Sequence, residues 1–419
     1  MSLVLPCRSI FWMRLRQMPK AIKSDQAMNR ITIESTDKAV FYQQMVQQHG
    51  SPLLILDCDQ LVQQYNALSN ALPDVQLFYA IKSLPHPAAI QTLDTLGAGF
   101  DIATSGEIEL LRQQGGRARQ TIHTHPIKRD ADIRHALRFG CTTFVIDNVW
   151  ELEKFVNYRH RVGLLVRVSF PNPNTPIDLS RKFGCREDEA SILIQKAQSL
   201  GLHVKGLSFH AGSQCPDSGN HVHAIEQCGK IINEVYQNSG KLLSVLDIGG
   251  GFPVEYMQPM MDIESFCAPI RQALKDLPEH VQVIAEPGRY LSAPAMKAVS
   301  SVMGKAKRGD ACWYYLDDGI YGSYSGQLFD HVTYPLTIFS DIQAKEQAVL
   351  AGPTCDSIDV IAEQISIAPL SIGDIVVGHQ MGAYTSATST HFNLFDKAKI
   401  VAINQAAQNI ENVFQLNKN

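Results

Sequence analysis

From residue 51 onward the chain alternates two hydrophobic rhythms. Short continuous apolar runs occupy 77–81, 99–102, 121–123, 143–146, 164–168, 204–209, 244–248 and 281–285, each the length of a buried strand. Between them, apolar residues recur at three- and four-residue spacing, as in Ile108 and Leu111 or Ile194, Ala197 and Leu200, the mark of amphipathic helices. Eight strands alternating with helices over roughly two hundred residues predict an α/β fold, a parallel sheet closed into a (β/α)8 TIM barrel. An open, doubly wound sheet shares this periodicity and stands as the alternative. Ahead of the first run lie a strand-like stretch at 53–56 and a helical one at 60–72. After Glu286 the rhythm changes, and runs at 313–316, 348–350, 360–365 and 375–377 with Gly and Pro turns between them predict a second, mostly β domain. The expected division is a leader over 1–29, a short segment over 30–50, the barrel over 51–290 and the β domain over 291–419.

A barrel demands that its chemistry sit at the carboxyl ends of the strands. Lys82 closes the first run in Tyr79-Ala80-Ile81-Lys82, and Pro85 and Pro87 bar a helix from starting before His86. Asp101 falls in the second run, Arg167 near the end of the fifth, and His210 closes the sixth. Gly249-Gly250-Gly251 follows the seventh run and Glu286 the eighth. Any one of these alone reads more simply as a solvated strand end or a tight turn. Together they place ionisable residues and glycines at six of the eight ends. Three successive glycines let backbone N–H groups approach an anion, although the spacing is neither the dinucleotide pattern nor a Walker loop. Glu286-Pro287-Gly288-Arg289 adds a carboxylate and a guanidinium suited to forked phosphate recognition. A lysine, a phosphate cradle and a separate carboxylate in one barrel mouth point to pyridoxal 5'-phosphate, with Glu286 against its pyridine nitrogen.

Composition narrows the partners. In 419 residues, 37 Lys and Arg stand against 41 Asp and Glu, a net charge of −4 with no basic stripe, so nucleic acid is not an expected partner. Nine scattered cysteines without a Cys-x-x-Cys pair fit reduced thiols in a cytoplasm. His123 with His125, and His221 with His223, occupy alternate positions without a third ligand nearby, so no metal is expected. Arg8, Arg14, Arg16, Lys20 and Lys23 precede any acidic residue, yet the apolar residues among them are too few for a signal peptide or a span. A disordered leader is expected there, and no membrane association elsewhere.

Six ordered motifs carry a resemblance. Tyr79-Ala80-Ile81-Lys82, Ser208-Phe209-His210 with Gly212-Ser213, Asp247 through Pro253, Glu286 through Tyr290, Gly352-Pro353-Thr354-Cys355-Asp356 and Gly382-Ala383-Tyr384-Thr385 resemble the motif set of alanine-racemase-fold pyridoxal-phosphate decarboxylases. Within that group the chain is most similar to ornithine decarboxylases and bacterial lysine/ornithine decarboxylases. The resemblance implies that Lys82 holds the cofactor as a Schiff base, that His210 lies on the ring face, and that Ser213, Gly250, Gly251, Arg289 and Tyr384 surround the phosphate. It assigns Asp101, Glu107 and Arg167 to supporting the cofactor and its histidine, and Cys355 to protonating the α-carbon after CO₂ leaves. It also joins residues 30–50 to the β domain and makes the protein a homodimer, with Cys355 and Asp356 reaching into the partner's barrel mouth.

For the substrate, the resemblance implies that Asp330, Asp356 and Tyr321 receive a distal ammonium, giving cadaverine from lysine and putrescine from ornithine in polyamine biosynthesis. Diaminopimelate decarboxylases typically have Cys-Glu where this chain has Cys355-Asp356. Arginine, diaminopimelate or carboxynorspermidine decarboxylation, and a non-catalytic role like that of the antizyme inhibitors, are the alternatives. The proline-rich loop over 170–176 is a candidate for setting the lysine to ornithine ratio.

Overall fold

The computed structural model describes residues 31–172, 175 and 179–405. The expected leader and positions 173, 174 and 176 of the proline-rich loop lie outside the described residues. The chain enters through β1 (Ile31–Glu34), α1 (Val40–His49) and β2 (Leu53–Asp57), and then α2 (Cys58–Ala71), which Asp57 caps by accepting from Asp59 N–H at 3.1 Å.

Eight parallel strands follow: β3 (Val75–Ala80), β4 (Gly99–Ile102), β5 (Thr121–His123), β6 (Thr143–Ile146), β7 (Gly163–Arg167), β8 (His203–Ser208), β9 (Val245–Asp247) and β10 (Gln282–Ala285). β10 pairs with β3, Val283 opposite Val75, and this closes the barrel and rules out the open sheet. The outer helices are α3 (Pro87–Thr95), α4 (Ser105–Gln113), α5 (Asp130–Phe139), α6 (Val149–Lys154), α7 (Glu187–Ser199), α8 (Gly219–Ser239) and α9 (Ile263–Leu274). Side chains alternate across each strand. Phe78, Ile122, Val145, Leu165, Val245 and Ile284 therefore fill the barrel interior, while Tyr79, Phe100, Phe144 and Val166 join the larger core between strands and helices. Two residues further along, the same interior face carries Thr124, Arg167, Asp247 and Glu286 in place of apolar groups. This alternation turns a packed floor into a polar mouth.

After the four-residue α10 (Arg289–Ser292) the chain forms β11 (Met296–Arg308), β12 (Ala311–Leu316), α11 (Gly326–Phe329), β13 (Leu336–Phe339), β14 (Glu346–Ala351), β15 (Val360–Ile367), β16 (Ile375–Gly378) and β17 (Lys399–Ile403). They join β1 and β2 in a nine-stranded sheet, ordered β1-β13-β16-β11-β12-β14-β15 with β2 on β11 and β17 on β2. The expected start of the barrel at residue 51 is corrected here. Residues 53–56 are fully buried, as either sheet would require, but they pair with β11 (Leu56 opposite Met296) and with β17, so β2 is a strand of the β domain.

Candidate active site

A cavity of about 320 Å³ opens at the carboxyl ends of the barrel strands and collects most of the expected residues: Lys82, Arg167, His210, Ser213, Gly250, Gly251, Glu286, Arg289, Asp330 and Tyr384. Lys82 stands in the short helical turn after β3, and its Nζ donates to Asp101 Oδ2 at 2.8 Å. The lysine side chain is 42% exposed toward the cavity and that of Asp101 only 1%, so the base of the amine is fixed while its flank stays reachable. Thr124 Oγ1 donates to the other carboxylate oxygen of Asp101. Burial alone lowers the Lys82 pKa, but the charges of Asp101 and then Glu286 outweigh it and hold the amine protonated.

His210 faces the same space. Burial, then Arg167 and Lys82, push its pKa well below the usual range, and Gly212 N–H donates to Nδ1 at 3.2 Å, which puts the ring proton on Nε2. The glycine loop after β9 cannot be built from other residues. A Cβ at Gly249 would lie 2.3 Å from the Phe209 carbonyl, one at Gly250 2.8 Å from the Glu286 carbonyl, and one at Gly251 2.6 Å from the Gly212 carbonyl. Behind the loop, buried His221 of α8 makes a 3.0 Å hydrogen bond from Nε2 to the Gly250 carbonyl.

Arg289 crosses the mouth. It donates to Tyr256 Oη at 3.0 Å, Ser213 Oγ at 3.3 Å and Asp330 Oδ2 at 2.7 Å, with its guanidinium 4.9 Å from the Tyr384 ring centre. Its Nε is buried without a partner. Glu286 and Asp247 lie side by side below. Burial first, and then each other's proximity, raise the Glu286 pKa well above the carboxylate range, and burial raises that of Asp247 as well.

Glu107 lies one step back. Its carboxylate accepts from Ala103 N–H at 2.5 Å and Thr104 N–H at 3.2 Å, while Thr104 Oγ1 accepts from Glu107 N–H, a capping box that starts α4 beside Asp101. Three expected residues lie elsewhere in the single chain. Cys355 is exposed on the loop between β14 and β15, its N–H donating to Asn393 Oδ1 at 2.9 Å. Tyr321 Oη donates to Asp356 Oδ2 at 2.5 Å and stacks on Phe392 with ring centres 4.5 Å apart. None of the three lines the cavity. Asp330, expected at the substrate's far end, is paired with Arg289. Asp247 and His221 carry no role in the reading of the motifs. Asp247 could have been found from the period-two alternation that puts it on the same interior face as Glu286, whereas the contact of His221 with Gly250 has no local signal.

The cavity fits pyridoxal phosphate: its lining brings together an amine, an enclosed glycine loop with a partly unpaired arginine for a phosphate, and a buried carboxyl. The sequence model of the family described as pyridoxal-dependent decarboxylase, pyridoxal binding domain, matches residues 58–293, and the chain belongs to this family of pyridoxal-phosphate enzymes. Among curated relatives, the lysine/ornithine decarboxylase of Selenomonas ruminantium is 36% identical over 346 residues, 82% of this chain and 88% of that protein. Antizyme inhibitor 2 of Xenopus laevis is 33% identical over 365 residues, 83% and 79% of the two chains. Among solved structures, the lysine/ornithine decarboxylase of Vibrio vulnificus complexed with putrescine is 52% identical with a TM-score of 0.85, covering 89% of this chain and all of that one. Its cadaverine complex is 53% identical over the same share, also with a TM-score of 0.85. Among the described residues no helix is long and apolar enough to cross a membrane, and no three His, Cys, Asp or Glu side chains form a metal-binding group.

Proposed function

We propose that this protein is a pyridoxal-phosphate-dependent carboxy-lyase that converts lysine to cadaverine and ornithine to putrescine. The observation that carries this reading is the gathering, around one cavity, of the Lys82 amine, the Glu286 carboxyl and the Gly250–Arg289 cradle. Bound there, pyridoxal phosphate supplies an electron sink for the pair left at the α-carbon when CO₂ departs. Lys82 anchors the cofactor and yields its place to the substrate's α-amine. Glu286 would face the pyridine nitrogen and keep a proton on it, and neutral His210 would wall the ring. Asp101 orients Lys82, and the Thr104–Glu107 box fixes the segment following Asp101. Arg289, paired here with Asp330, would hold the cofactor's phosphate, and an Asp330 released from that pair would become available to a distal ammonium.

Lysine and ornithine differ by one methylene, a difference worth about 1–3 kcal/mol in a pocket, and a water can bridge the shorter chain to the carboxylates. Both are therefore accepted. The non-catalytic alternative is the weaker reading, because the amine, carboxyl and guanidinium that the cofactor would need all line one cavity. CO₂ release from lysine, ornithine, arginine and diaminopimelate by the purified, cofactor-loaded protein tests the assignment. Release from neither lysine nor ornithine refutes it, and rates at background for one of them refute dual specificity.

Cys355 and Asp356, remote from Lys82 within one chain, complete the cavity of a second copy in a two-fold dimer, with Cys355 protonating the α-carbon and Tyr321 holding Asp356. Mixing inactive Lys82→Ala and Cys355→Ala proteins should restore about a quarter of the sites, since random pairing makes about half the dimers mixed with one intact site each. Proven subunit exchange without recovered activity overturns the shared site.

A further inference from the structure

Asp247 has no role in the reading above, yet it is among the most enclosed charge-bearing side chains of the barrel. It ends β9, is 0% exposed, and stands in register with Ser208 of β8 and Ile284 of β10. Its Oδ1 accepts from Gly249 N–H at 2.9 Å. Its Oδ2 meets no N–H or hydroxyl donor, and the Ser208 Oγ on the neighbouring strand is likewise buried without a partner. What the side chain of Asp247 does meet is the carboxyl of Glu286, two residues beyond Ile284 on the same interior face. Two carboxyl groups form a hydrogen bond only when one of them carries a proton, and like charges in contact inside a protein resist ionising together.

The surrounding charges agree with one shared proton. Asp101 on β4 places a third carboxylate beside the pair, and the cations that face it are Lys82 after β3 and Arg167 on β7. Lys82 is already engaged with Asp101 at 2.8 Å. One proton across Asp247 and Glu286 leaves the pair with a single negative charge.

We propose that Asp247 is a positioning residue that shares one proton with Glu286 beneath the cofactor, so that the apoenzyme already stores the proton the ring nitrogen needs. The inference rests on the assignment of Glu286 to that nitrogen. On loading, the O–H bond of Glu286 breaks as an N–H bond forms on the pyridine nitrogen. The proton changes atoms without exchange with solvent. Asp247 stays anionic with its bond from Gly249 N–H, and Glu286 becomes a second anion whose charge is offset by the pyridinium it would face.

Asp247→Asn removes the like charge and offers Glu286 an amide donor, so Glu286 should ionise at lower pH and the ring's proton must then come from water. Near pH 8 the variant should take up about one more proton per cofactor bound than the wild type, read by calorimetry in two buffers of different ionisation enthalpy. Its affinity should fall about tenfold per pH unit over a range where that of the wild type stays flat. A merely structural role would weaken binding equally at every pH. A second measurement needs only the native protein: its infrared difference spectrum between apo and loaded forms should show a protonated-carboxyl stretch that disappears on loading and is missing from Glu286→Gln. Superimposable pH profiles, or no such band in the wild type, overturn the shared proton. If borohydride reduction fails to fix the cofactor to Lys82, the cofactor seat itself is wrong and the proposal falls with it.

Discussion

Replacing Gly250 by alanine adds one methyl group at the point where the glycine loop touches the end of β10. That carbon would lie 2.8 Å from the Glu286 carbonyl oxygen and 3.2 Å from His210 Nε2. A backbone oxygen cannot swing away, because Glu286 N–H is itself tied to the Gly249 carbonyl at 2.7 Å. The loop or the strand end must therefore shift by several tenths of an ångström, carrying the phosphate donors or the Glu286 side chain out of place. Overpacking of this kind costs about 1–3 kcal/mol, which as a change in affinity is roughly 5- to 150-fold. Gly304 in β11 is a fair control, since nothing lies within 4 Å of a Cβ added there. Titration of the apoproteins should show weaker binding of pyridoxal phosphate by Gly250→Ala and native binding by Gly304→Ala, with unphosphorylated pyridoxal losing less than the phosphate form. Native affinity in Gly250→Ala, or equal losses for pyridoxal and its phosphate, would refute the role of this loop as a phosphate cradle.

Glu286→Gln should still take up cofactor but lose at least tenfold in turnover, because a neutral amide cannot keep the pyridine nitrogen cationic; undiminished turnover would remove Glu286 from that role. His123, buried on the outer side of β5 against Phe144 with both ring nitrogens unpartnered, has its pKa lowered by burial from 6.5 to about 3. The unfolded chain thus binds a proton that the folded one refuses, and stability should drop as pH falls from about 6.5 toward 3, by up to about 1.4 kcal/mol per pH unit. His123→Leu should flatten that slope in denaturant titrations between pH 6 and pH 4, and an unchanged slope would show that other groups set the acid sensitivity.

The barrel was legible because each of its strands is covered on both faces, which makes eight near-continuous apolar runs that no turn interrupts. The β domain was less so, for a reason visible in β11. Met296–Arg308 is its longest strand, yet it carries Lys297, Ser300, Ser301, Lys305 and Lys307. It serves β2 and β16 with one half and β12 with the other, so no single period runs through it. β2 presents the opposite difficulty: its run satisfies either sheet, and only pairing with β11 and β17, more than two hundred residues away in sequence, decides between them. The same distinction between local and distant causes divides the site. Lys82, the glycine loop and Glu286 follow strand ends, where position in the sequence fixes position in the mouth. Cys355 is placed by a loop of the other domain and, in the proposed dimer, by another molecule, so no local pattern could bring it to Lys82. Asp247 falls between these cases. Its alternation with Val245 puts it on the interior face, but its pairing with Glu286 depends on closure of β9 against β10, and that closure sets Asp247 behind a carboxyl that lines the cavity. The barrel's geometry, more than any motif, makes that juxtaposition.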